Sequence, residues 1–279
     1  MPQTLTYRLS ARGQPITVPE YVAFESSAGQ RLRIAPDKWD RFLNRYQREL
    51  VREYDVWARE TQRLVLRATA GGRTVMQIQA LIQGRAEDLQ ARLIVLGHAR
   101  IAQAGGMGLG RHLAGRIDSP GVRQAIALLQ AANDQFLATN LIPDIVKKAS
   151  GVTVQGLDTS TLRLTLGDAF KALRSRVAGY AGGATVAIFD VQRIAGGDLN
   201  RERQMQGQRP FPVRWVLDPA ATSHCDDDPS RGTHGCIRLA GVYPGGWDEL
   251  PTVPAGHVTC LGHCRCHLEA DFGRGWERA

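Results

Sequence analysis

The sequence predicts a mainly α-helical protein whose C-terminus is a small, irregular unit stapled by metal. Three observations predict it. Apolar residues recur at helical spacing through most of residues 37–209. After Pro210 the chain turns to Gly, Pro, Asp and His. All five cysteines, Cys225, Cys236, Cys260, Cys264 and Cys266, fall within one 42-residue stretch. Two short loops that each bring thiolates to a point are what a tetrahedral zinc ion needs. The expected architecture is therefore an extended arm (1–36), an elongated helical body (37–209) and a Cys-rich, zinc-stapled tail with short strands (210–279).

Residues 1–36 mix short alternating runs, Thr4–Leu9 and Ile16–Phe24, with Gly and Pro, which suits an extended arm with a hairpin. Helical periodicity starts at Asp37. Trp39, Phe42, Leu43, Tyr46, Leu50, Tyr54 and Trp57 share one face, and Gly71-Gly72 is the expected stop. This aromatic stripe is expected to be core, not a platform for nucleotide bases. A second helix is expected from Thr74, where Thr74-x-x-Gln77 forms a capping box, to about Ala104, with a break at Gly84. Gly105-Gly-Met-Gly-Leu-Gly110 is rich in glycine but follows a helix and lacks Gly-Lys-Ser/Thr. It reads as a flexible helix–helix connection and not as a phosphate loop.

Ser119-Pro120 starts the next helix, with apolar residues Val122, Ile126, Leu128, Leu129, Phe136 and Leu137; Asn140 and Pro143 are expected to break it. A short helix near Ile145 and a polar loop (Gly151–Thr159) follow. Two further helices are expected near Leu166–Tyr180 and Ala184–Gln208, parted by Ala181-Gly182-Gly183. Pro212-Val-Arg-Trp215-Val-Leu217 is the strand candidate of the tail, which is too poor in aliphatic residues to build a core alone.

Composition is that of a globular protein, 43% hydrophobic and 22% charged, with a net charge of +8. The charge is uneven. From Asp218 onward nine acidic residues face five arginines, a net of −4, so the first 217 residues carry +12. Only four basic residues are lysine: Lys38, Lys147, Lys148 and Lys171. The start has no apolar signal region, and no stretch reaches the ~18 apolar residues of a membrane span. The expected setting is a reducing cytoplasm without membrane contact, where clustered cysteines favour metal over disulfides.

The metal spacing is Cys-x10-Cys, 23 residues, then Cys-x3-Cys-x-Cys. Thiolates are the favoured ligands as soft anionic donors. His224, His257, His263, His267 and Asp228 are alternatives, and His234 adds to the crowding. Neither His-Glu-x-x-His nor another base–metal motif is present, so the expected zinc is structural. Asp226-Asp227-Asp228 reads as a solvated loop, because three consecutive side chains cannot converge on one ion.

The order of these pieces carries a resemblance. A helix containing Arg193, Asn200 and Arg201 precedes a Trp strand (Val213-Arg-Trp215), a first cysteine knuckle and a Cys260-x3-Cys264-Arg265-Cys266-x-Leu268 ending. Over roughly the last 80 residues the chain resembles the phage head-morphogenesis, or Mu F-like, minor head protein family. Where that family often shows Cys-x-x-Cys in the first knuckle, this chain has Cys225-Asp-Asp-Asp228, with Cys236 or Asp228 as the substitute.

The resemblance implies a structural virion protein made in the host cytoplasm and sited inside the capsid at the portal vertex. Its implied partners are the portal and other head proteins, and it aids head assembly or DNA packaging and ejection without catalysis. The 13 residues after Cys266 leave no appended enzyme domain to expect. The basic body is expected to make nonspecific contacts with packaged DNA, which the acidic tail would repel. The alternative expectation is a metal-dependent nuclease or other DNA-processing enzyme using His224, Asp226 and the tail histidines. A third, a zinc-finger regulator, lacks a basic recognition helix beside the cysteines.

Overall fold

The structure is a computed structural model, described here for residues 6–8, 15–17, 34–153, 157–218, 226–230, 232–254, 266–273 and 275–278. It is mainly helical with a small antiparallel sheet. A hairpin pairs β1 (Thr6–Arg8) with β2 (Pro15–Thr17). Six main helices follow: α1 (Ile34–Ala70), α2 (Val75–Gly108), α3 (Pro120–Phe136), α4 (Ile142–Thr153), α5 (Thr159–Gly179) and α6 (Gly183–Met205). The tail supplies β3 (Val213–Val216), β4 (Gly241–Tyr243), β5 (His267–Asp271) and β6 (Trp276–Arg278), in the sheet order β4-β3-β5-β6.

The chain forms two compact units that interleave along the sequence. One comprises Met1–Lys38, Ile101–Ala127 and Gly182–Ala279; the other comprises Trp39–Arg100 and Leu128–Ala181.

In the second unit the aromatic stripe of α1 is core. Phe42, Tyr46, Leu50, Tyr54 and Trp57 are all buried. Tyr54 Oη donates to the carbonyl of Phe170 at 2.9 Å, and Trp57 meets the Phe170 ring edge-on at 5.3 Å. Burial of the Tyr54 phenol pushes its pKa above the usual tyrosine range. Helix α1 stops where Gly72 takes φ +74°. There Arg73 N donates to Ala68 O and Gly72 N to Thr69 O, the paired bonds of a Schellman end. The capping box at the start of α2 is present in both directions. Thr74 N donates to Gln77 Oε1 (3.0 Å), and Gln77 N donates to Thr74 Oγ1 (3.3 Å).

Two expected breaks do not occur. Helix α2 passes through Gly84 and continues to Gly108, beyond the expected end at Ala104. The glycines there make close approach possible. A Cβ on Gly108 would lie 2.1 Å from the carbonyl oxygen of Ile188, and one on Gly105 would crowd Val191 and Ile126. What reads as a flexible link is thus a rigid seat for α6. At Asn140–Pro143 the chain does not leave the helix either. A single π turn, Leu137–Leu141, joins α3 to α4, and Pro143 falls in the first turn of α4, where a missing N–H costs little.

Candidate functional site

The tail is built on β3, whose Trp215 is fully buried. Strand β3 pairs antiparallel with β4 on one side (Trp215 opposite Gly241) and with β5 on the other (Trp215 opposite Leu268). Two strands antiparallel to the same neighbour run parallel to each other. The starts of β4 and β5 therefore lie at one end of the sheet, the end where β3 finishes at Val216. Cys236 opens a four-residue helical turn, Cys236–Leu239, that leads into β4. Cys266 immediately precedes β5. Both are buried, at 1% and 4% exposure. Cys266 therefore adjoins the start of β5, and Cys236 lies five residues ahead of the start of β4, at the head of the turn that leads into it.

The loop ahead of Cys236 is held by its own backbone and carboxylates. Asp228 and Thr233 exchange backbone hydrogen bonds (3.0 and 3.2 Å) across a tight turn, and Asp228 Oδ1 accepts from Ser230 N at 3.1 Å. Asp227 Oδ1 accepts from Gly235 N at 2.7 Å, while its other oxygen pairs with Arg238 at 2.9 Å. These donors hold the Asp227 carboxyl below the usual carboxylate range, the Gly235 N–H contributing most. Gly235 is required by contact, since a Cβ there would sit 2.4 Å from the carbonyl carbon of Asp226. The sequence-neighbours of Cys225 and Cys236, namely Asp226 and Gly235, therefore touch. The triplet is a partly solvated loop as expected, with Asp227 and Asp228 each spending oxygens on the turn. Their role as fasteners was not legible in the sequence.

His267 is separated from Cys266 by the pleat. Cys266, Leu268 and Ala270 share the buried face with Trp215, whereas His267 and Glu269 project from the opposite one. There His267 Nε2 lies 2.8 Å from Glu269 Oε1, and Arg214, directly opposite Glu269, donates to its Oε2 at 2.9 and 2.5 Å. The Arg214 guanidinium lies 4.3 Å over the Trp276 ring. Burial draws its pKa down while Glu269 opposes that shift. His267 thus belongs to a charged ladder that knits β3 to β5.

Cys225, Cys260 and Cys264, with His224, His257 and His263, lie outside the described residues. Among the described residues no three His, Cys, Asp or Glu side chains converge as a metal site would require. Cys236 and Cys266 are the cysteines among the described residues, and both are buried.

The sheet does not form a core by itself. Trp247, in a short turn after β4, lies against Gly196 of α6, where a Cβ would come within 2.2 Å of the ring. Asn200, also on α6 and buried, accepts from Phe211 N (2.8 Å) and donates to Phe211 O (3.1 Å), clamping the chain as it enters β3. Arg201 reaches Asp248 at 3.3 Å. Two of the three residues singled out on this helix are therefore structural anchors for the tail.

These features define the class: a mainly helical protein with a small antiparallel sheet and two buried cysteines, Cys236 and Cys266, among its described residues. Comparison with protein-family models, curated proteins and solved structures finds no match. No described helix is long and apolar enough to cross a membrane.

Proposed function

We propose that the chain is a structural minor head protein of a tailed phage. In this reading it is a non-enzymatic component attached at the portal vertex inside the capsid. It binds the portal and other head proteins and aids head assembly or DNA packaging and ejection. One structural zinc ion is held by four of Cys225, Cys236, Cys260, Cys264 and Cys266.

One observation carries the reading. The most specific pieces of the tail pattern are Trp215, Cys225 and the Cys260-x3-Cys264-Arg265-Cys266-x-Leu268 ending; of these, Trp215 and Leu268 are distant in sequence yet sit directly opposite each other across β3 and β5. Separate motif fragments that pack as one unit support a single folded module over accidental composition. The helix that precedes them contributes through Asn200 and Arg201, in the order the resemblance requires. Zinc would close the end of the sheet where aliphatic packing is thin, since metal ligation can replace core in a small unit.

The test is elemental analysis of the purified chain with thiol titration before and after chelation. About one zinc per chain, with cysteines becoming reactive on chelation, is the expected result. No zinc and five freely reactive thiols would sink the zinc module and, with it, the main support for the head-protein role. Co-purification with a portal protein on co-expression tests the partner.

A further inference from the structure

The solvent-facing side of α1 carries arginine at positions 41, 45, 48, 52, 59, 63 and 67. Steps of three, four and seven keep these residues on one face of a helix. All seven are exposed, and the buried stripe of Phe42, Tyr46, Leu50, Tyr54, Trp57 and Val65 lies on the opposite side. At 1.5 Å per residue the row extends for roughly 39 Å.

The acids of the same helix do not cancel it. Glu49 is bound bidentately by Arg100 (2.6 and 2.7 Å), besides a 3.1 Å contact with Arg45. Glu60 pairs with Arg85 at 2.5 Å, Asp55 with Arg174 at 3.0 Å, and Glu53 with Arg92 at 4.0 Å. Each of these four carboxylates is thus engaged by an arginine of another helix. Within α1, Arg52 has only a 3.6 Å contact with Glu53, and Arg48 donates to the carbonyl of Asn44.

We infer that this arginine row is a docking surface for the phosphate backbone of duplex DNA. Guanidinium forks suit phosphate oxygens, and a row of this length matches a regular line of anionic charge. The described aromatic residues of α1 are buried on the other face, so the row offers no platform on which unpaired bases could stack. Nor does it present the aromatic anchors that dominate protein–protein contacts. The chemistry that remains is sequence-independent and electrostatic. This inference deepens the DNA contact expected of the proposed head protein by naming the surface.

The experiment measures binding of the full chain to a random-sequence DNA duplex of roughly 30 base pairs, by fluorescence anisotropy, between about 50 and 200 mM salt. The first variant combines Arg52→Gln, Arg59→Gln, Arg63→Gln and Arg67→Gln. Glutamine has nearly the helix propensity of arginine, so α1 should persist, which circular dichroism checks. A control variant makes the same charge change at Arg73, Lys147, Lys148 and Lys171, none of which belongs to the row.

The wild-type plot of log K against log salt should have a slope near about −4, reduced by about three in the row variant. Affinity at low salt should fall at least ~30-fold in the row variant and less than ~3-fold in the control. No binding by the wild type would overturn the inference. So would equal weakening by the two variants, or tighter binding to anionic lipid vesicles than to the duplex. Zinc content is unaffected by either variant, so failure here is distinguishable from failure of the zinc module.

Discussion

The indole of Trp247 rests on the backbone of Gly196, so close that a single methyl group on that glycine would lie 2.2 Å from the ring. This contact seats the tail on α6. Gly196→Ala must push the ring away or bend the helix. Overpacking of this kind costs about 1–3 kcal/mol. The variant should show a lower urea midpoint and altered near-ultraviolet circular dichroism from the displaced tryptophan. An unchanged midpoint would contradict the seating.

Asn200 makes two hydrogen bonds to the backbone of Phe211 from a site that is 1% exposed. Asn200→Ala removes the partners of the half-buried Phe211 N–H and C=O, a loss of about 1–3 kcal/mol. Hydrogen exchange at the start of β3 should accelerate, while exchange in α1 stays slow. Uniform acceleration across the chain would argue against a local clamp.

If zinc is held by the cysteines, Cys236→Ser and Cys266→Ser each lower zinc content from about one per chain towards zero. His267→Ala should retain the metal, because His267 faces Glu269 on the opposite side of the sheet. Retention by the cysteine variants and loss by the histidine variant would reverse the ligand assignment.

Asp158 caps α5. Its carboxylate accepts from Ser160 N (2.8 Å), Thr161 N (3.1 Å) and Thr161 Oγ1 (2.6 Å), and also from the Ser160 hydroxyl. The two hydroxyls, then the N–H groups, hold its pKa well below the usual carboxylate range. A depressed folded pKa means the cap contributes fully above the unfolded value near ~3.9 and is lost as pH falls through the folded one. Thermal unfolding of the wild type should therefore weaken progressively below about pH 4. Asp158→Asn caps without titrating, so it should remove that part of the acid sensitivity. Identical acid profiles would refute the assignment.

Much of the helical part was legible because its signals are local. The period of the α1 stripe, the Thr74–Gln77 box, the Ser119-Pro120 start and the Gly72 stop each depend on residues within a few positions of one another. The Trp215 strand was legible for the same reason. Gly105–Gly110 and Asn140–Pro143 were misread because glycine and proline carry two meanings in sequence. A glycine can loosen a helix or let another backbone approach within contact distance, and only the presence of Ile188 O beside Gly108 decides between them. A proline can end a helix or sit where its lost N–H is not needed, and the π turn before Pro143 supplies that place.

The sequence alone therefore determined the helical class, the most clearly bounded helices, the position of the cysteines and the imbalance between a basic body and an acidic tail. Tertiary structure decided which of these meet. It placed Trp215 opposite Leu268, buried Cys236 and Cys266, and turned His267 to the face of β5 opposite Leu268. It also engaged Glu49, Glu53, Asp55 and Glu60 of α1 with arginines of other helices, while seven arginines of α1 stay exposed on its outer face. The reason is range: caps and periodicity act within a few residues, whereas register, pleat direction and ion pairing are fixed between segments that are remote along the chain.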